Sequence, residues 1–184
     1  MNNSYINGFK SFLKLEKSLS PNSIEAYIHD VDKLAQYAEM QGLKQFPLGI
    51  TFQHLKEFIK WINDLGLAAN SQARIISGLK GFYKYLLLEN LIVKNPTELL
   101  ETPKLGRKLP DTLSVDEVNH LIEALDLSLP EGMRNKAILE TMYSSGLRVS
   151  EVVNLQISNL HFEIGFLKVT GKGSKERLVP IGNS

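Results

Sequence analysis

Two stretches of the chain carry residues that could handle an anion. In TGKGSKERLVP, residues 170–180, Lys172 stands between Gly171 and Gly173, with Lys175 and Arg177 just past the turn. Flanking glycines free the backbone for a tight tip, so that lysine either belongs to a solvated turn or is placed to reach a phosphate. In SSGLRVSEVVNL, residues 144–155, Arg148 follows a helix-ending glycine at the expected start of a new helix. A cation there opposes the helix macrodipole. The same place gathers backbone N–H groups and a guanidinium fork, both suited to an anion. An Arg148–Glu151 surface pair is the other reading, and residue types leave the two open. The lysine is no nucleotide-loop lysine. Five residues separate Gly165 from Gly171, Gly173 follows the lysine, and no helix comes next.

A third cluster lies on residues 74–87. Placed at about 100° per residue, Ile75, Ile76, Leu79, Phe82, Tyr83, Leu86 and Leu87 fill one arc, and Arg74, Ser77, Gly78, Lys80, Gly81 and Lys84 fill the other. The polar arc holds three cations and no acid. It is either a solvated face or one that neutralises phosphates. Each interior helix glycine costs roughly 0.5–1 kcal/mol relative to alanine. The two here therefore need a reason, and close backbone approach to a DNA groove would supply one.

The elements that must position these residues fall into two groups. Residues 1–100 read as four amphipathic helices. The first runs from about Ser4 to Lys17. The second starts at Ser20-Pro21, a cap followed by proline, with Leu19 and Ile24 as a hydrophobic staple, and ends at Gly42. The third is capped by Thr51 and closed by Gly66, and the fourth opens at Asn70 or Ser71 and ends near Asn90. Residues 101–110 form a proline-punctuated linker carrying Lys104, Arg107 and Lys108, which either stay solvated or follow a phosphate backbone. In residues 111–184, Ser114 opens a capping box with Glu117, and a further helix runs from about Arg134 to Tyr143, ending at Gly146. From Gly165 the period becomes two, predicting a β-hairpin of residues 166–170 and 177–181 with no visible partner strand. A two-stranded hairpin is marginal alone, so the second domain is expected to be incomplete.

The 184 residues, 43% of them apolar, allow one large domain or two small ones. A formal charge of +1 decides nothing about nucleic acid, because a sum hides local clustering. The absence of cysteine excludes disulfides and thiolate metal sites and agrees with a reducing cytoplasm. The apolar runs are too short to span a bilayer.

GLRVSEVVNL followed by the GKGSKERLVPI hairpin resembles the tyrosine-type site-specific recombinases of the phage integrase family, nearest to the bacterial chromosome-dimer recombinases. SPNSIEAYIHDVDKLAQYA, SGLKGFYKYLLLENLIVKNP and PKLGRKLPDTLSVDEV resemble that family's core-binding domain, linker and first catalytic helix. The resemblance implies a mainly α fold: a four-helix, SAM-like core-binding domain (1–100), the basic linker (101–110), and the first part of an α+β catalytic domain (111–184). It implies duplex DNA as partner, clamped by homo- or hetero-oligomers of recombinase subunits, and cleavage through a 3′-phosphotyrosyl link without metal or other cofactor. By motif, Arg148 resembles the first catalytic arginine, Lys172 the hairpin lysine that protonates the departing 5′ oxygen, and Glu151 the acid that orients the arginine. Arg74, Ser77, Lys80, Gly81, Lys84, Lys104, Arg107, Lys108, Lys175 and Arg177 are the expected DNA-binding residues. The family's His-x-x-Arg and its late tyrosine are not found: His161 precedes Phe162-Glu163-Ile164, and the six tyrosines lie at or before Tyr143. A truncated, non-cleaving recombinase is expected. A non-catalytic DNA-binding module and a helical adaptor for an acidic protein are the alternatives.

Overall fold

Two helices of the N-terminal unit start where a residue can supply a partner for, or spare, an orphan N–H group. The computed structural model describes residues 2–106, 109–171, 173 and 175–181. The expectations for Arg107, Lys108 and Lys172 lie outside the described residues. The chain divides into two units, Met1–Lys108 and Leu109–Ser184.

In the first unit, α1 is Asn2–Leu15, α2 Pro21–Met40, α3 Phe52–Asp64 and α4 Ala69–Leu88. Ser20 Oγ accepts the Ser23 N–H at 3.3 Å, and Pro21 takes the first position of α2, where no N–H is needed. Thr51 caps α3 through a reciprocal box that periodicity did not signal: His54, in place of an acid or amide, accepts the Thr51 N–H on Nδ1 at 3.3 Å. Helix α4 begins at Ala69, earlier than Asn70 or Ser71, and has no side-chain cap. Its start is set by packing, with Phe82, Tyr83, Leu79, Ile75 and Ile76 buried against Phe9 of α1, Leu34 of α2 and Phe58 of α3. Burying side chains of this size is worth roughly 1.5–3 kcal/mol each. Tyr83 donates its hydroxyl hydrogen to Pro47 O at 3.2 Å, satisfying the core's largest buried polar handle.

Packing of α2 on α4 revises the reading of the basic arc. Asp30 is buried on α2, where Arg74 Nη1 donates to its Oδ2 at 2.8 Å and Nη2 stands 2.8 Å from Oδ1. Arg74 Nη1 also reaches Ala26 O at 3.3 Å. A Cβ on Gly78 would lie 2.6 Å from Asp30 Oδ2 and 2.8 Å from Asp30 Cβ, and one on Gly81 would lie 3.3 Å from Tyr27 Cε1. Gly78 thus has a reason inside the protein, because it admits α2, whereas Gly81 meets only a tight contact with Tyr27 that a small shift relieves. Arg74 is the partner of a buried carboxylate before it is a surface cation.

In the second unit, α5 is Val115–Glu123, α6 Pro130–Ser145 and α7 Val149–Val153. Helix α6 starts four residues before Arg134 because Pro130 fits its first turn. Gly146 ends it at φ 58°, where a side chain would be strained. The hairpin, β2 (Phe166–Thr170) and β3 (Glu176–Pro180), has a partner after all. A two-residue strand β1, Leu160–His161, pairs antiparallel with β2 through Leu160↔Leu167 and His161↔Phe166, giving the order β1-β2-β3. Two residues are too few to display a period. Leu167 and Val169 bury one sheet face with Leu147, joined by Val152, Leu155, Leu160, Val179 and Ile181. Val153 is 74% exposed, and no residue of α5 is fully buried. Among the described residues no helix is long and apolar enough to cross a membrane.

Gly78→Ala should destabilise the first unit by about 1–3 kcal/mol, because the new methyl meets the Asp30 side chain and backbone-anchored Cβ. Gly81→Ala should stay within about 0.5 kcal/mol, its 3.3 Å contact being offset by better helix propensity. Paired urea melts of the two variants check this contrast.

Candidate functional site

In the second unit the glycine that ends α6 turns the chain so that Arg148 becomes the residue preceding α7. One turn on, Glu151 points back at it, and strand pairing brings a second arginine to the same place. The register Val169↔Arg177 puts Arg177 on the sheet face occupied by the buried Val169. There its guanidinium closes on Glu151, Nη1 to Oε1 at 2.7 Å and Nη2 to Oε2 at 2.9 Å. Arg148 supplies two further donors, Nη1 to Oε1 at 3.0 Å and its backbone N–H to Oε2 at 2.8 Å.

The carboxylate therefore accepts four hydrogen bonds, two per oxygen, which is its full capacity. Its side chain is 3% exposed, Arg177 is 39% exposed and Arg148 70%. The Arg177 fork, then the Arg148 backbone N–H, hold the Glu151 carboxyl far below the usual range, at about 2. The same pairing makes Arg177 hold its proton more tightly. Two guanidiniums share one negative charge, so the cluster carries a surplus of +1. Among the described residues no hydrogen bond engages Nε or Nη2 of Arg148, and that edge can take an oxyanion.

Of the two readings that spacing left open, the structure contains the Arg148–Glu151 pair and leaves one edge of the fork without a hydrogen bond among the described residues. The Arg148–Glu151 pair exists, but Glu151 is buried and shared. Helix α7 has only five residues, and the Arg148 N–H is already engaged by Glu151, so the donors left over at this place belong to the side chain rather than to the helix end. Arg177, expected on DNA, is instead committed to Glu151. Strand alternation could have shown this, since Arg177 shares a face with Val179. The partner itself could not be read, because Glu151 lies 26 positions away.

Gly171 opens the hairpin tip, donating its N–H to Lys175 O at 2.7 Å, and Lys175 is exposed. Lys168 on β2 pairs with Glu176 on β3 at 3.0 Å. In the first unit Ser77 and Lys84 are exposed and Lys80 half-buried, with Ser77 Oγ donating to Ala73 O at 2.9 Å. Lys104 is exposed. Asp30, which orders Arg74, gave no sequence signal as a partner. Among the described residues no three His, Cys, Asp or Glu side chains converge as metal ligands.

Comparison with known proteins matches both units. Residues 6–90 match the phage integrase N-terminal SAM-like domain, and residues 111–184 match the phage integrase family. The chain is 38% identical over 182 residues to the tyrosine recombinase XerD of Staphylococcus epidermidis, covering 99% of this chain and 61% of the relative. It is 40% identical over 179 residues to XerD of Staphylococcus haemolyticus, covering 97% and 60%. The chain thus spans about three-fifths of the length of these curated relatives. Among solved structures, a lambda integrase tetramer bound to a Holliday junction matches with TM-score 0.74 at 19% identity, over 97% of this chain and 50% of that one. XerH recombinase in a post-cleavage complex with difH matches with TM-score 0.66 at 22% identity, over 95% and 52%. At these identities the likeness is one of fold.

The Glu151 pairing makes a pH prediction. Because the folded carboxyl sits below its unfolded value of about 4.5, its contribution is complete above that value and is lost as pH falls towards 2. Acid titration followed by the amide signals of Leu167 and Val169 should show the second unit weakening across that window. Glu151→Gln, less stable near neutral pH, should lose that part of the pH dependence.

Proposed function

The chain belongs to the phage integrase family, and from that premise we propose that it serves site-specific DNA recombination, the breaking and rejoining of strands through a 3′-phosphotyrosyl link. The observation that carries this reading is the outward edge of Arg148, an always-charged fork held in place by a buried, fully bonded carboxylate. A preorganised donor of this kind stabilises charge that grows on the non-bridging oxygens of a phosphodiester under attack. Glu151 orients the arginine. Lys172, carried over by motif, delivers a proton to the departing 5′ oxygen. This chemistry calls on no metal or cofactor.

Binding comes first in that sequence. The first unit supplies Lys80 and Lys84 beside the exposed Ser77 on α4, and Lys104 with Arg107 and Lys108 follow in the basic segment. Arg74 contributes through whatever its Asp30 pair leaves exposed, and Lys175 adds charge at the hairpin. Cations on a helix face release counterions when they meet phosphates. XerD is the name borne by relatives at 38–40% identity, and recombination of two duplexes requires several subunits. A tetramer on a Holliday junction, as in the lambda integrase structure, is the assembly we propose for this chain's full-length form, acting in the cytoplasm. None of the six tyrosines stands after the hairpin, where the family places its nucleophile. We therefore assign these 184 residues DNA binding without cleavage.

Two measurements test the reading. Duplex binding by the chain should weaken steeply with salt, and Lys80→Ala with Lys84→Ala should lower affinity and flatten the salt slope by about two. An unchanged slope would remove α4 from the DNA interface. In the full-length protein, Arg148→Lys should bind DNA normally and cleave about 10²–10³ more slowly. Lys172→Ala should cleave about 10²–10⁴ more slowly on ordinary DNA and recover on a 5′-bridging sulfur substrate, whose thiolate leaves unprotonated. Failure of sulfur to rescue Lys172→Ala would take the proton-delivery role away from that lysine.

A further inference from the structure

Arg177 lies on the hairpin, yet both of its terminal nitrogens are turned to Glu151. We propose that Arg177 is a positioning residue that keeps Arg148 available to an anion and ties the hairpin tip to the same carboxylate. The role of Arg148 as a phosphate ligand is the reading given above. What Arg177 does to Arg148 is a separate matter, decided by the hydrogen-bond capacity of Glu151.

Glu151 has four acceptor positions, and Arg177 fills one on each oxygen. Arg148 is thereby held to one side-chain bond, through Nη1. Without Arg177, a carboxylate only 3% exposed would be left with two unmet positions, which a buried anion does not tolerate. Arg148, already bonded to Oε1 through Nη1, carries further donors on the same fork, and arginine and carboxylate favour the two-bond, fork-to-fork arrangement. Arg148 would therefore turn inward and close on Glu151, removing from solvent the edge that could hold an oxyanion.

The hairpin enters through Gly171. A Cβ at that position would lie 3.0 Å from Arg177 Nη1 and 3.2 Å from Glu151 Oε1. The first residue of the tip thus runs against the ion pair itself, and its N–H closes the turn onto Lys175 O at 2.7 Å. A side chain at 171 would press on the Arg177–Glu151 pair without deleting a charge, which gives a second, independent way to disturb it.

The test uses the ¹⁵N-labelled 184-residue chain and the Nε–Hε signal of Arg148, assigned by its loss in Arg148→Lys, with inorganic phosphate as probe. In the unaltered chain that proton should exchange readily with water and shift on phosphate addition. In Arg177→Met it should become protected, and phosphate affinity at Arg148 should fall roughly tenfold, the scale of coupling within one hydrogen-bonded network. Arg177→Lys keeps the charge but cannot bridge both oxygens, so it should behave like Arg177→Met. An Arg148 signal and phosphate affinity unchanged in both variants would overturn the proposal. If Arg177→Met loses the sheet amides of Leu167 and Val169, Gly171→Ala carries the test, and an unmoved Arg148 signal there overturns it equally. Should Arg148 ignore phosphate in the unaltered chain yet become protected on removal of Arg177, the positioning role stands and the phosphate reading of Arg148 falls.

Discussion

The carboxylate of Glu151 takes hydrogen bonds from two guanidinium nitrogens of Arg177, one guanidinium nitrogen of Arg148 and the Arg148 backbone. The second unit's proposed chemistry depends on that saturation. Its apolar core is small, centred on Leu147, Leu167 and Val169, and would position a long polar side chain poorly by packing alone. The ion cluster does so instead, joining the α6–α7 turn, helix α7 and strand β3 at one point. Because the carboxylate has no spare acceptor position, each arginine constrains the other. A side chain as long as arginine loses substantial rotamer freedom when fixed, and here that ordering is imposed before any ligand arrives.

The first unit also buries a carboxylate against an arginine, but the electrostatics run the other way. Asp30 is pushed up from its usual range because desolvation outweighs the attraction of Arg74 and Lys33. Glu151 is pulled down because hydrogen bonds outweigh burial. The difference follows from geometry. Only Oδ2 of Asp30 receives a well-directed bond from Arg74, Oδ1 lying close to a nitrogen without one. Arg74–Asp30 is thus a packing device between α2 and α4, made possible by Gly78, whereas Glu151 is built to hold charge. The first ties the scaffold together, and the second holds the arginine to which the proposed function gives the chemistry.

Much of this was legible in the sequence. Ser20-Pro21, Thr51, Ser114, Gly42, Gly66 and Gly146 mark helix ends through local hydrogen bonding and backbone conformation, which neighbouring residues determine on their own. The apolar arc of α4 and the alternation of β2 likewise follow from fixed periods. The ordered motifs around Arg148 and the hairpin were enough to indicate the family that the two domain matches and the XerD relatives show. What the sequence could not decide were the partners of charges. Arg74 and Arg177 read as surface cations because their carboxylates lie 44 and 26 positions away, and the glycines of α4 read as an open face because Asp30 and Tyr27 arrive from another helix. Strand β1 was missed for the same reason, since two residues form a strand only when a neighbour's edge is there to pair with. Local rules fix where elements begin and end. Which charge meets which depends on the registers those elements adopt against one another, and only the folded chain sets those.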